Sequence, residues 1–463
     1  MSVDSKIAEY SLRAFREDIP NPVIQTAIQA IVDQYGLQIG GSEFPWSKAI
    51  YRTESEYHRS SGVCTVTRYG THVSPAHAAF INGSFAHAQD FDDSHQEAQT
   101  HPGSVIIPAA IAMGEHLNLP GAVVLKAIII GMEIMLRLAH SLCPACIEGG
   151  HHTPPTIGPF GAAIACGLLL GLNKQQLINA IGICGSYAGG LVEYTLSGGS
   201  VKRIHTGLGA RAGVEAALLA KEGITGPESI IEGKKGLWEI FGRGKAFPER
   251  LFDQIGERYM LSTIMFKPFN CCYLIHPAIE GFLSLTKSHH LTPDDIEIVT
   301  VGYSKFSISH AGKITIPTDE LGAQFSTSFT LALSLINEAP GMWAYTKEML
   351  NDANILDLAK RISVFEDEQA QAEFPKKNGC IVNVTTKDGK ELSIRVRDPK
   401  GSPENLLTIA DVKEKYLKNT VPIIGKTRAE SFYNSLLNFS SLHEVRNLNP
   451  SFEERDSAIK AKL

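Results

Sequence analysis

Asp295-Ile296-Glu297-Ile298-Val299-Thr300-Val301-Gly302-Tyr303 is the first stretch of the chain that reads convincingly as a β-strand. Its branched side chains, Ile296, Ile298, Val299 and Val301, crowd the preceding turn of a helix but pack well on a pleated surface. A second strand signal follows at Cys380-Ile381-Val382-Asn383-Val384-Thr385 and Leu392-Ser393-Ile394-Arg395-Val396, which flank Lys387-Asp388-Gly389-Lys390. Two alternating runs around Asp-Gly predict a hairpin. Residues 325–336 and 349–361 between them have helical periodicity, so residues 267–402 read as an α+β module.

Upstream the signal is helical throughout. Asn21-Pro22 opens a helix through Val23, Ala27, Ile28, Ile31, Val32 and Tyr35 that ends at Gly40-Gly41, with Pro at its first positions. Ser74-Pro75 repeats that start and predicts a helix running through Phe80 and Phe85 toward Asp90. Further helices are expected after Pro108, over 122–142, 158–172, 174–187 and 207–222, and no strand up to about Phe266. The segment 158–172 is rich in Gly and Ala, which lets neighbouring helices approach closely and predicts packing on several sides. From Pro403 onward helical periodicity returns, with Ile409, Val412 and Tyr416 and then residues 429–442. The expected fold is mainly α with an α+β second domain: a large helical domain from residues 1–266 and 403–463, and a smaller lid from 267–402.

With 463 residues the chain can bury a large core, and its 20% charged residues and net charge of -6 are ordinary for a globular protein. That charge makes no electrostatic case for nucleic acid as partner. The most hydrophobic segment, 122–142, carries Lys126, Glu133 and Arg137, which argues for a core helix rather than a membrane span. The start of the chain lacks a basic residue run followed by an apolar block, so no signal peptide is expected. Eight scattered cysteines fit a reducing compartment, the cytosol or an organelle matrix, better than a disulfide framework. Cys143-Pro144-Ala145-Cys146 has no second pair to complete a zinc site. Gly-rich phosphate loops, nucleophile elbows and dinucleotide fingerprints are absent from the sequence.

The chemistry concentrates between Phe80 and Ser104, where Asp90, Asp92, Asp93, His87, His95 and His101 fall within a short span. Carboxylates and imidazoles gathered where a helix gives way to a loop suit proton transfer or a metal ion. Asp90 and Asp93 share one face if the helix persists that far; the bland alternative is a frayed helix end with solvated Asp. His101 precedes Pro102-Gly103, a stiff turn that fixes its position. His151-His152 stands before the small-residue helix and reads equally as a turn or as a site. Lys202-Arg203-Ile204-His205 precedes another helix, which makes either a seat for carboxylate or phosphate or a solvated basic start. Lys267 to His276 falls at the junction of the two modules, and clefts between domains are favoured ligand sites. A hinge holding the core pair Cys271-Cys272 is the alternative there.

Taken in order, these pieces resemble the MmgE/PrpD family, which includes 2-methylcitrate dehydratases, cis-aconitate decarboxylases and an iminodisuccinate epimerase. The resemblance runs over almost the whole chain. It rests on Phe80-Ile81-Asn82-Gly83 with His87 and Asp90-Phe91-Asp92-Asp93, on Thr100-His101-Pro102, and on His152 through Ala163. It continues with Lys202-Arg203-Ile204-His205 leading to Gly223-Ile224-Thr225-Gly226-Pro227, and with Lys267-Pro268, Cys272 and His276-Pro277-Ala278. The resemblance implies a cofactor-free, metal-free lyase or isomerase of a small di- or tricarboxylic acid, working as a homodimer, with its site between helical domain and lid. It implies that Asp90, His101, His152, Lys202, Lys267 and His276 line that cleft, with Ser94, His205 and Asp93 nearby. Two positions depart from the family pattern. Ser94 stands where relatives often have Thr, and the motif that reads here as Ala323-Gln324-Phe325-Ser326 lacks the Lys that many have, which bears on how many substrate carboxylates are held.

On this reading charge builds on carbon beside a carboxylate. Lys202, Lys267 and His101 are expected to hold substrate carboxylates, His152 and His276 to share proton transfer, and Asp90 to orient a histidine. Dehydration, decarboxylation and epimerisation all find candidate groups. The competing expectations are a metal-dependent hydro-lyase using Asp90, Asp93, His95 and His101, and a carboxylate-binding protein without catalysis. One lid residue from the stretch Tyr303 to His310 is expected to reach the site.

Overall fold

The computed structural model of the chain, which describes residues 1–58, 62–337, 339–448 and 450–452, is mainly α with an α+β second domain. The expected helices form as Asn21–Gly41, Pro75–Ala86, Gly103–Leu117, Gly121–Leu142, Thr153–Leu169, Lys174–Cys184 and His205–Lys221. Thr153–Leu169 is the central one and packs on Gly103–Leu117, Gly121–Leu142, Lys174–Cys184 and His205–Lys221. Its small residues permit this. A Cβ on Gly161 would fall 2.5 Å from the Gly131 carbonyl oxygen, and one on Gly213 would fall 2.3 Å from the Ala162 Cβ. Gly121–Leu142 buries its charges as a pair, with Arg137 Nε 2.6 Å from Glu133 Oε1. No helix among the described residues is long and apolar enough to cross a membrane. All eight cysteines are free thiols.

The C-terminal helix Ile409–Ile424 lies along Asn21–Gly41. Its buried Lys415 pairs with Asp33 at 2.8 Å and donates to the Phe91 carbonyl at 2.7 Å. The tail therefore fixes the backbone one residue beyond Asp90.

Among the described residues there are two sheets. A ribbon of β1 (Cys64–Thr65) and β2 (His72–Val73) lies in the helical part, against the expectation of no strand there; two residues per strand are too few to show a period. The second sheet has the order β4-β3-β5-β6, with β3 (Ile296–Tyr303), β4 (Ile362–Glu366), β5 (Cys380–Thr386) and β6 (Glu391–Val396). The Asp-Gly hairpin joins β5 to β6 antiparallel, with Gly389 at φ +84°. β3 pairs antiparallel with β5 and parallel with β4, a strand the sequence reading missed because it follows the helix Ala353–Lys360 almost directly. Helices His276–Ser288 and Thr327–Ile336 cover the sheet, burying Ile279, Phe282 and Phe329 against Val299, Val301 and Val382.

Two boundaries differ from expectation. Pro108 lies inside Gly103–Leu117 rather than before it, and removes only its own N–H from the helix ladder. The Pro75 helix stops at Ala86, and His87 leaves helical geometry at φ -99°, ψ 13°. Asp90 and Asp93 consequently do not share a helix face. The irregular backbone turns each aspartate toward a different partner.

Candidate active site

Two buried lysines from opposite parts of the chain meet at one carboxylate. Lys202 arrives on the short 3-10 turn Val201–Ile204 that leads into His205–Lys221, and its Nζ donates to Asp90 Oδ1 at 2.7 Å. Lys267 arrives on the segment that crosses from helical part to lid, and donates to the same oxygen at 3.0 Å and to the Asp90 carbonyl at 2.9 Å. Each lysine is only 2% exposed, so hydration does not balance their charge. Burial works against ionisation of Asp90, but the ammoniums of Lys202 and Lys267 hold its carboxyl well below the usual range. For Lys202 burial prevails over Asp90 and lowers its pKa; for Lys267, burial is outweighed by Asp90 and Asp92, which raise it. Two cations share the one Asp90 carboxylate, and the next counter-charge, Asp92, makes no ion pair with either lysine, so the ammoniums are available to an anionic ligand.

Four imidazoles stand beside this group. His101 Nδ1 donates to the Asp93 carbonyl oxygen at 2.8 Å, which leaves Nε2 as the lone-pair nitrogen. Behind it, Asp92 lies 3.4 Å from His101 Nδ1 and accepts from His87 Nδ1 at 2.8 Å. Burial lowers His101 to about 3, against the pull of Asp92, which leaves the ring neutral. Asp92 itself stays ionised: burial is overcome by the His101 and His87 rings. His152, at the N-terminus of Thr153–Leu169, faces His205 with the two Nδ1 atoms 2.9 Å apart. One ring must donate and the other accept, so this pair shares a proton. Burial, then His205 and Lys202, hold His152 well below its ordinary value; burial and Lys202 bring His205 to about 4.

These groups open onto a cavity of about 140 Å³ between helical part and lid, lined by Asp90, Ser94, His101, His152, Lys202 and Lys267 among others. That space suits a small acid rather than a nucleotide. His205 stands behind His152 and does not line the cavity. His276 is not brought to it either. Fully buried at the start of His276–Ser288, it stands with its ring edge-on to Phe269 and Tyr273. Asp93 turns away, accepting from the Gly103 amide at 2.8 Å, with Gln34 Nε2 2.6 Å from its other oxygen. Burial and neighbouring Asp92 push Asp93 up to about 8. A protonated Asp93 suits the reversed Gln34 amide, whose Oε1 otherwise has no partner. Asp90 holds lysines rather than orienting a histidine; the orienting carboxylate is Asp92.

The set Asp90, Asp93, His95 and His101 does not converge on a metal. His95 accepts from the Ala98 amide through Nδ1 and donates through Nε2 to Thr263, which leaves it no lone pair. The donor atoms that do come within 4.8 Å of one another here belong to His87, Asp92 and His101, where His87 Nδ1 and His101 Nδ1 already donate to Asp92 and to the Asp93 carbonyl.

The MmgE/PrpD N-terminal domain matches residues 5–250 and the MmgE/PrpD C-terminal domain residues 269–439. The chain belongs to the MmgE/PrpD family. It is 26% identical to a cis-aconitate decarboxylase of Aspergillus terreus, over 100% of this chain and 97% of that protein. It is 24% identical to the cis-aconitate decarboxylase of Mus musculus, over 88% of this chain and 85% of that one, and 24% identical to that of Homo sapiens, over 91% and 88%.

Among the two departures from the MmgE/PrpD pattern, Ser94 lines the cavity, its backbone bridged to Met265 at 2.9 and 2.8 Å. Gln324 does not. It accepts from Arg203 at 2.7 Å and donates to Asn270 at 2.8 Å and to Gln89 at 2.5 Å, joining helical part to lid. The structure also adds residues that sequence reasoning missed. Gln99 lines the cavity with φ +48° and a buried Oε1 that has no partner, a strained backbone with an acceptor in reserve. Tyr194 packs edge-on to His152 at 5.6 Å, and Cys272, read from the sequence only as a family anchor or a member of a core pair, contributes a thiol that burial and Asp90 push up to about 11. From the stretch 303–310, Phe306 and His310 reach the wall. No local pattern marks Gln99 or Tyr194, which come from separate segments of the chain.

Proposed function

We propose that this chain is a cofactor-independent decarboxylase of a small unsaturated tricarboxylate of the cis-aconitate kind. The observation that carries the reading is the pair of buried lysines that share one carboxylate, Asp90, beside neutral His101 and His152 on a small cavity. The relatives' reactions, at 24–26% identity over most of the chain, support the same class.

In this mechanism Lys202 and Lys267 bind two substrate carboxylates, and Asp90 keeps both side chains placed and charged. The third carboxylate, on the methylene carbon, leaves as carbon dioxide. The electron pair of the broken C–C bond enters the adjacent double bond, and the allylic charge settles on the carbon beside a remaining carboxylate. Lysines fixed before the reaction stabilise that charge without reorganising, an effect worth roughly a hundred- to a thousand-fold per donor. That carbon then takes one proton, which gives an unsaturated dicarboxylate. Binding a trianion raises the proton affinity of the imidazoles beside it. His152 delivers the proton, with His205 as the reserve on its far side. His101, backed by Asp92, binds the carboxylate that retains the charge. Positioned proton transfer of this kind contributes roughly a hundred- to ten-thousand-fold.

Proton NMR of cis-aconitate, 2-methylcitrate and related acids in deuterated buffer tests the reading. The expected result is loss of carbon dioxide from cis-aconitate with one solvent deuteron in the product. Dehydration of a hydroxy acid or epimerisation, without decarboxylation, would overturn it. So would no turnover of any acid, the outcome for a protein that only binds carboxylates.

A further inference from the structure

The catalytic cavity is not the whole of the opening. Outside it lies a wider depression of about 750 Å³. The two have Ile147, Val192, Thr195, Phe306, His310 and Phe374 among their common lining residues, so the outer depression adjoins the cavity that holds the lysines. Phe306 stacks on His310 at 4.1 Å and on Phe374 at 4.9 Å, which makes the neck between them largely apolar on the lid side.

The rim of the depression differs in charge from the rest of the molecule. The chain as a whole has 43 Lys and Arg against 49 Asp and Glu. The rim holds Arg250, Lys305 and Lys313 against Glu148 alone. Glu148 itself faces Lys245 at 3.8 Å. Lys305 is answered by Glu366 at 3.3 Å, but among the described residues neither Arg250 nor Lys313 has an ion pair. Arg250 is held over the Phe247 ring at 3.7 Å and donates to the carbonyls of His140 and Cys143, so its guanidinium is fixed at the rim.

We infer that this depression is an outer anion-binding vestibule, in which Arg250, Lys305 and Lys313 collect a polycarboxylate and pass it through the neck to Lys202 and Lys267. The inference rests on the carboxylate reading of the inner site. A positive mouth on a protein of net negative charge focuses the field where the ligand enters and repels it elsewhere, and such fields raise association rates about 10- to 1,000-fold at low salt. The gain grows with ligand charge, so the vestibule favours tricarboxylates over monocarboxylates before any contact inside the cavity is made.

The test combines binding of tricarballylate, an unreactive saturated tricarboxylate, with kcat/KM for cis-aconitate at low and high ionic strength. It compares the parent chain with the Lys305→Glu/Lys313→Glu double variant. Lys426→Glu is the charge control, on a helix that lines neither cavity. The double variant is expected to lose about tenfold in kcat/KM near 10 mM salt and less than twofold near 0.5 M, because the screening length shrinks from about 30 Å to a few ångströms. The control variant is expected to change by less than twofold throughout. Equal losses in double variant and control, or a loss that persists at high salt, would overturn the vestibule and leave the function intact. If the parent chain neither binds tricarballylate nor turns over any polycarboxylate, the function itself fails and the vestibule with it.

Discussion

The two walls of the cavity are built differently. On the helical side the charged and imidazole groups are each held by a second one: Asp90 by Lys202, His101 by the Asp93 carbonyl and Asp92, His152 by His205. On the lid side Leu274, Phe306, Phe325 and Phe374 give an apolar surface in which Lys267, Tyr273, His310 and Asn378 are the polar members. Buried polar networks that are satisfied are rigid, whereas an apolar wall tolerates changes of shape. On the proposed mechanism the difference puts proton transfer on the helical wall, shares the anion between Lys202 there and Lys267 opposite, and leaves the choice of acid mainly to the lid.

If that division is right, the largest losses come from the helical wall. Lys202→Ala should lower kcat for decarboxylation by about a thousand-fold or more while the far-ultraviolet spectrum stays native, since it removes a charge stabilising the developing anion and leaves Asp90 less balanced. An intact rate would detach Lys202 from the chemistry. Because burial lowers Lys202, kcat/KM should fall on the alkaline side as its proton is lost, and Lys202→Arg should move that limb to higher pH.

Asp92→Asn comes next, at about a hundred-fold in kcat, because His101 and His87 lose the carboxylate behind them. A purely structural role would instead lower thermal stability with kcat unchanged, so both are to be measured. On the lid, His310→Ala should raise KM about three- to tenfold with kcat nearly constant, and a loss confined to kcat would break the comparison.

The smallest effect is at Asp93. Its pKa, about 8 in the folded chain, lies above its unfolded value, so the folded state keeps a proton that the unfolded state releases from about pH 4 upward. That stabilising contribution is complete below pH 4 and is lost as pH rises to about 8. Asp93→Asn stays neutral. Relative to the parent its melting temperature should climb between about pH 4 and pH 8 and then level off, with activity within about twofold at neutral pH. A constant difference across that range would show Asp93 to be ionised.

Much of this was legible in the sequence, and what was not has physical causes. Periodicity marks long elements such as Gly121–Leu142 and the β5–β6 hairpin, because a repeated contact repeats its residues. It does not mark β1 and β2, which have two residues each, or β4 directly behind a helix. Asp90, His101, His152, Lys202 and Lys267 stand out in the sequence as charged or imidazole clusters that read equally as turns or solvated helix starts, and only the family resemblance puts them in one cleft, where they do line one cavity. The roles within the Asp90–Asp93 run were not readable. They depend on which neighbour each carboxylate meets, and Lys202 and Lys267 come from 112 and 177 residues away. His276 looked like a site residue beside Lys267, yet its helix turns it into the core. Cys272 of the same segment faces the cavity instead.

The most direct measurement follows cis-aconitate by proton NMR in deuterated buffer with the parent chain and with Lys202→Ala. The account predicts a dicarboxylate carrying one solvent deuteron from the parent and about a thousand-fold less of it from the variant. Equal product from both, or none from the parent under any buffer condition, would contradict it.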